Sequence, residues 1–275
     1  MKKYNIVLLF CFLMAGIALA QEKEIDLFSV PLSNPGSPGK LIVNQLSGSI
    51  SVEAYEGAEV IVKATVSEGH GECDSCKDRD SGSRGGMKKI STASLNIGAE
   101  EDDNVVQIQN ELWNRKTDLN IKVPKDFSLK LETVNNGDIS VEGVNGEMEI
   151  SNVNGHITLE SVSGSVLANT TNGELQVSFN SILTGKDMAF SSFNGDVEVI
   201  FPPSLKANVK AKSDMGDVYT DFDMAISKNE PQVDKNNSSG KYRVKVEQWV
   251  KGSINGGGPE MLFKTFNGDI MIKSK

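Results

Sequence analysis

The sequence predicts an all-β fold, a single-stranded parallel β-helix or β-solenoid with irregular N-terminal strands. Three observations predict it. A glycine returns every nine residues, at Gly137, Gly146, Gly155, Gly164 and Gly173, and a strict short period marks stacked repeat units. Each glycine opens the same phrase, Asn/Ser-Gly-x-apolar-x-apolar, written NNGDISV, VNGEMEI, VNGHITL, VSGSVLA and TNGELQV. The apolar residues elsewhere alternate with period two between Gly, Asn, Ser and Asp, and no amphipathic helical pattern stands out.

The first element is a leader. Lys2 and Lys3 precede an almost unbroken apolar run from Ile6 to Leu19, and Ala18-Leu19-Ala20 ends it with small residues. This is the pattern of a secretory signal peptide cleaved before Gln21, and it is too short for a comfortable membrane span. Phe10 precedes Cys11, whereas lipid attachment at Cys11 needs a small residue there. The expected mature chain, 21–275, has 255 residues and one β-solenoid domain. No later apolar run is long enough for a transmembrane helix. The chain carries 28 basic and 37 acidic residues; losing Lys2 and Lys3 leaves 26 against 37, a balance of −11. That charge repels phosphate backbones and anionic lipid, so nucleic acid is not an expected partner.

Early strands are expected at 41–43, 50–52 and 59–66. A polar segment at 67–89 reads as a loop insert. Strands resume at 90–97, 105–108 and 119–123, with EEDDN at 100–104 as a turn. The regular repeat region runs over 129–275. Counting from each glycine, Ile139, Met148, Ile157, Val166 and Leu175 stand two residues on. Val141, Ile150, Leu159, Ala168 and Val177 stand four on, and Val144, Val153, Val162 and Thr171 two before. Even offsets share one face of a strand, so these positions should share an interior.

The phrase recurs at Gly195, Gly216 and Gly268, and is anticipated at Gly48. The natural unit is therefore two nine-residue halves, an 18-residue coil that later lengthens to about 21. Gly137, Gly155, Gly173, Gly195 and Gly216 should stack on one side, Gly146 and Gly164 on the other. Asn-Gly also suits a hairpin, so a meander or β-sandwich is the competing architecture. Offsets translated unchanged in one direction favour parallel stacking. The N-terminal strands and 253–275 are candidates to cover the open ends.

The repeated phrase, the exported start and the closing GGGPEMLFKTFNGDIMIKSK resemble the bacterial β-strand-repeat "putative adhesin" family, domain of unknown function 4097, related to adhesin-like head domains with a Gly-Ile-Asn motif. The resemblance covers roughly 28–275. It implies a right-handed β-helix-like solenoid at the cell envelope and brings no catalytic residues with it. The Cys-containing insert departs from the repeat.

Candidate chemistry is sparse. His70, Cys73 and Cys76 have ligand spacing, so the pair could bind metal or act as a redox dithiol; a local disulfide between Cys73 and Cys76 suits an oxidising compartment better. Asp138, Asp196, Asp217 and Asp269 follow repeat glycines and could gather calcium, as could the acidic run at 100–104, but turn residues that cap backbone amides are the simpler expectation. Asn136, Asn154, Asn172 and Asn194 could form an internal amide ladder. Phe193 and Phe266 fall at inward offsets and are expected in the core. Trp113, Trp249, Tyr219 and Tyr242 are too few and out of register for a sugar-binding strip. His70 and His156 are the mature chain's only histidines, and His156 should face water. No catalytic set and no cofactor site emerges. The expected function is a non-enzymatic exported envelope or surface protein, adhesin-like, whose β-face binds an envelope protein or a glycan. The alternative is a β-helix enzyme acting on polysaccharide, which should gather charged residues into one groove.

Overall fold

The computed structural model describes residues 24–67, 83–84, 87–88, 97–110, 115–227, 232–238, 241–247 and 249–275. Among them there are β-strands and no helix. The core of the fold is a stack of two-armed coils. Phe127–Asn135 turns at Gly137 into Ile139–Glu142, and Asn145–Asn154 turns at Gly155 into Ile157–Asn172. That 16-residue strand is the second arm of one coil and the first arm of the next, which turns at Gly173 into Leu175–Ile182. First arms pair with first arms, second with second, all parallel.

The register moves by one coil at a time. Met148 lies against Val166 and Ile150 against Ala168; Ile139 lies against Ile157 and Ile157 against Leu175. Each step is 18 residues, which bears out the expected coil and rules out an antiparallel meander for this region. The inward residues at two and four beyond each glycine are buried as expected, among them Ile139, Val141, Ile157, Leu159, Leu175 and Val177. Further along, the longer coils fill their wider interior with rings. Phe179 stacks on Phe201 at 5.1 Å and Phe190 on Phe263 at 5.2 Å, with edge contacts between the pairs.

The positions two before the glycines do not behave uniformly. Val144 and Val162 are buried, but Val153 is half-buried and Thr171 exposed. Instead the residue three before is buried at Asn152 and Thr170. The Asn-Gly corner reverses which parity faces inward, whereas the corner at Gly146 and Gly164 does not. The same reversal turns Phe193 and Phe266 outward. They are 51% and 42% exposed, which corrects their expected place in the core.

Order along the stack departs from order along the chain at both ends. Gly39–Ser47 and Ile50–Tyr55 form a coil lying between 105–124 and 127–142. Glu260–Thr265 and Ile270–Ser274 form a coil lying between 188–201 and 207–220. The expected succession from Gly195 to Gly216 is therefore interrupted by Gly268. It follows that 260–274 is an inner coil and not a cover.

The ends are closed by antiparallel strands. Ile97–Asp102 covers Val105–Asn110, and Glu59–Ser67 with Glu24–Pro31 extends from Lys116–Pro124. At the other end Val250–Ile254 covers Ala207–Ser213 and carries Met224–Ile226. Such covers remove the open backbone that a bare solenoid end presents. Of the strand expected at 90–97, residues 90–96 lie outside the described residues; a strand runs Ile97–Asp102, so the expected turn at 100–104 narrows to Asp103 and Asn104, both with positive φ. Within the expected polar insert, Ser83–Arg84 pairs antiparallel with Met87–Lys88.

Candidate functional site

The glycine corner is a structural column. A Cβ built on Gly155, Gly173, Gly195, Gly268 or Gly216 would overlap the carbonyl oxygen of the column glycine one coil below, in the order Gly137, Gly155, Gly173, Gly195 and Gly268. Behind the column, inside the corner, runs a line of buried polar side chains. Thr133 Oγ1 donates to Gly48 O, Asn152 Nδ2 to Gly137 O, Thr170 Oγ1 to Gly155 O, Ser192 Oγ to Gly173 O and Thr265 Oγ1 to Gly195 O, all at 2.9–3.0 Å. A buried carbonyl without a partner is costly, so the third residue before the glycine, or the fourth before Gly137 with its extra Asn136, is polar.

The amide ladder exists, but on the outside. Asn154 donates to Asn135, Asn172 to Asn154 and Asn194 to Asn172, at 2.8–3.0 Å. Asn135 takes the place expected for Asn136, because Asn136 is an extra corner residue at φ 57°. Residues just after the glycines cap the next coil. Asp138 accepts the His156 N–H at 2.7 Å, His156 Nδ1 accepts the Glu174 N–H at 3.1 Å, Asp196 accepts the Asp269 N–H at 2.8 Å and Asp269 accepts the Asp217 N–H at 2.9 Å. His156 thus faces water and accepts at Nδ1. Among the described residues no three His, Cys, Asp or Glu side chains converge as a metal-ligating group. His70, Cys73, Cys76, Trp113 and the leader 1–20 lie outside the described residues, as does the side chain of Tyr242.

Beside this corner Phe193 stacks on Phe266 at 4.9 Å with nearly parallel planes. Each ring covers the other's face, which is the arrangement of a stabilising ladder rather than an open sugar platform. Trp249 lies under Lys210, with the ammonium 4.6 Å from the ring centroid, an apolar body held by a cation at the covered end.

The outward face of the second arms carries the most organised surface chemistry. Asn120, Ser51, Ser140, Thr158 and Gln176 form one row along successive strands. Lys122, Glu53, Glu142 and Glu160 form the row beside it. Parallel neighbours lie about 4.8 Å apart, so three carboxylates repeat at that interval. Lys122 Nζ is 3.3 Å from Glu53; Glu142 and Glu160 are exposed. A shallow groove of about 220 Å³ runs between the rows, lined by Ser51, Glu53, Ser140, Glu142, Thr158 and Glu160. A second of about 230 Å³ continues past Thr158, Gln176, Ser178 and Glu198.

Ser140, Thr158 and Gln176 stand three past their glycines, an outward offset, but the carboxylate row escaped the sequence reading because counting stopped four residues past the glycine. Glu53, Glu142 and Glu160 all stand five past it, a signal present in the sequence. Like charges in register weaken a sheet, so the fold gains nothing from this row. A polysaccharide-cleaving enzyme flanks the scissile bond with two carboxyls in distinct environments. Glu142 and Glu160 instead share one open, wet face with no second wall.

Similar solved structures include a "putative cell adhesion protein" from Clostridium sporogenes ATCC 15579, 16% identical, TM-score 0.47, covering 92% of this chain and 100% of that one. A "putative adhesin" from Bacteroides fragilis NCTC 9343 is 12% identical, TM-score 0.43, with 92% and 98% covered. A "putative lipid binding protein" from Parabacteroides distasonis ATCC 8503 is 10% identical, TM-score 0.25, with 91% and 96% covered. No curated protein matches the chain significantly. Residues 124–255, the regular coils through the covering strand Val250–Ile254, match the family model Toastrack DUF4097, the likeness that the Asn-Gly phrase anticipates.

Proposed function

We propose that the chain is an exported, adhesin-like, non-enzymatic protein of the bacterial cell envelope that binds a glycan or an envelope protein through the outer face of its second arms. In this reading 1–20 is a cleaved signal peptide, 21–275 is one domain, and the coil winds right-handed. The observation that carries the proposal is the pair of rows Ser51–Ser140–Thr158 and Glu53–Glu142–Glu160. Their spacing is fixed by the backbone, so the face is rigid before any partner arrives and loses little entropy on binding. Hydroxyls and carboxylates at a constant interval suit the repeating hydroxyls of a glycan better than one compact ligand. Three like charges that do not help the fold are the sort of surface expense that binding explains.

The test is a glycan array probed with mature 21–275, beside a binding assay on isolated envelope protein, with the double variant Glu142→Lys/Glu160→Lys as control. Both positions are exposed strand sites, so the variant keeps the fold. Saturable binding that falls at least tenfold in the variant supports the proposal. Binding indifferent to the variant moves the site elsewhere and overturns it, as does cleavage of a bound polysaccharide.

A further inference from the structure

The corner opposite the glycine column holds a cleft of about 580 Å³. It lies where three connections from distant parts of the chain meet, 183–187, 202–206 and 255–259. They meet because the coil 260–274 is threaded between 188–201 and 207–220. The loops are braced to one another. Asn255 Nδ2 donates to Leu205 O at 2.8 Å and to Pro203 O at 3.2 Å, Asn208 Nδ2 to Gly258 O, and the Glu260 N–H to Asp187 Oδ1 at 2.7 Å. A braced cleft of this volume falls in the range of sites for small ligands.

Its exposed lining is mostly apolar: Ile182, Pro202 and Pro259 give the apolar surface, to which Asn180, Ser181, Thr184 and Ser204 add polar groups. No aromatic ring lines it, so it lacks the flat platform on which sugar rings stack. No Asp or Glu lines it either, although the chain carries nine more acids than bases. Lys206 stands in its wall, and Lys275 Nζ donates to Asn180 Oδ1 of the lining at 2.8 Å. Glu260 follows Pro259 in the chain, and its N–H is taken by Asp187. An apolar trough with lysine in its wall complements an alkyl chain ending in an anion. We propose that this cleft binds a single free alkyl carboxylate of medium length, its chain on Ile182, Pro202 and Pro259 and its carboxylate at Lys206. A monomer in solution is the occupant, because an acidic protein is repelled by an anionic bilayer.

Calorimetric titration of mature 21–275 with octanoate and decanoate, each below its micellar concentration, tests this. The controls are 1-octanol and octyl glucoside, and the variants are Lys206→Gln, Thr184→Trp at the exposed lip, and Glu142→Lys/Glu160→Lys. We expect affinity to rise about fourfold for each added methylene. Lys206→Gln should weaken decanoate about tenfold and leave 1-octanol unchanged. Thr184→Trp should abolish both. The Glu142/Glu160 variant should leave decanoate untouched, which separates this site from the face proposed above. No saturable decanoate binding overturns the assignment. So does binding that survives Thr184→Trp, binding indifferent to Lys206→Gln, or octyl glucoside binding as tightly as decanoate.

Discussion

At the glycine corner the glycines from Gly48 to Gly216 stack in one column, with hydroxyls or amides behind it and capping side chains in front. At the opposite corner Gly146, Gly164 and Gly258 pack on backbone but Gly185 and Gly256 meet nothing, and from 183 onward the connections vary in length and course. The first corner fixes the register, since any side chain added there meets backbone. The second carries no such duty, so its loops are free to build the braced cleft. Rigidity on one edge of a solenoid lets the other edge vary without loss of alignment.

The sharpest way to break this contrast is to place a methyl at each corner. Gly195 has φ +149° and its Cβ would overlap the Gly173 carbonyl; Gly256, in the loop 255–259, has φ +85° with open space around it. Gly195→Ala should cost about 3 kcal/mol or more, and Gly256→Ala only the left-handed backbone penalty of about 1–2 kcal/mol. Denaturant titration of both reads the difference, and equal losses would mean the column is not close-packed. Next in size is Thr170→Val, which keeps the shape and leaves the Gly155 carbonyl without its hydroxyl. A loss of about 1–2 kcal/mol in the same titration is expected, and no loss would mean the polar column is ornamental.

The smallest effect lies in the cover at the other end. Glu101 accepts hydrogen bonds from Ser33 N–H at 2.9 Å, Ser33 Oγ–H at 2.8 Å and Asn104 N–H at 2.9 Å. The Ser33 amide, then its hydroxyl, then the Asn104 amide hold the carboxyl below its ordinary pKa. A depressed folded pKa stabilises the protein above the unfolded value, and that share is lost as pH falls through the folded one. Glu101→Gln should therefore melt slightly below the parent at pH 7, and the gap should close in acid. A gap that stays constant with pH would assign Glu101 no electrostatic part in the cover.

Much of this contrast was legible in the residues. The glycine period, the 18-residue coil, the parallel register and the division of Gly146 and Gly164 from Gly137 and Gly155 all follow from spacing, because spacing is what stacking repeats. Inward parity was legible only within arms. The corner inserts Asn-Gly and flips it, so Phe193, Phe266 and Thr171 were misplaced by a rule that assumes an unbroken strand. The order of the last coils was hidden for another reason. Gly195, Gly216 and Gly268 open nearly identical phrases, and identical phrases stack equally well in either order. The cleft was invisible because its walls come from 180–206 and 257–259, residues joined only by that threading. The carboxylate row was within reach, one offset beyond the positions that mark the core.

The threaded order is what builds the distal coils and the cleft together, and cross-linking tests it directly. Ser191 lies in register with Lys264, and Lys264 with Lys212. Neighbouring strands hold such Cα atoms about 4.8 Å apart and second neighbours about twice that, beyond the roughly 7 Å limit for a disulfide. In residues 21–275 with Cys73 and Cys76 replaced by serine, Ser191→Cys/Lys264→Cys should oxidise to a disulfide in the folded state, and Ser191→Cys/Lys212→Cys should not. Ready closure of the 191–212 pair, with 191–264 remaining reduced, would place 207–220 directly on 188–201 and contradict the threading.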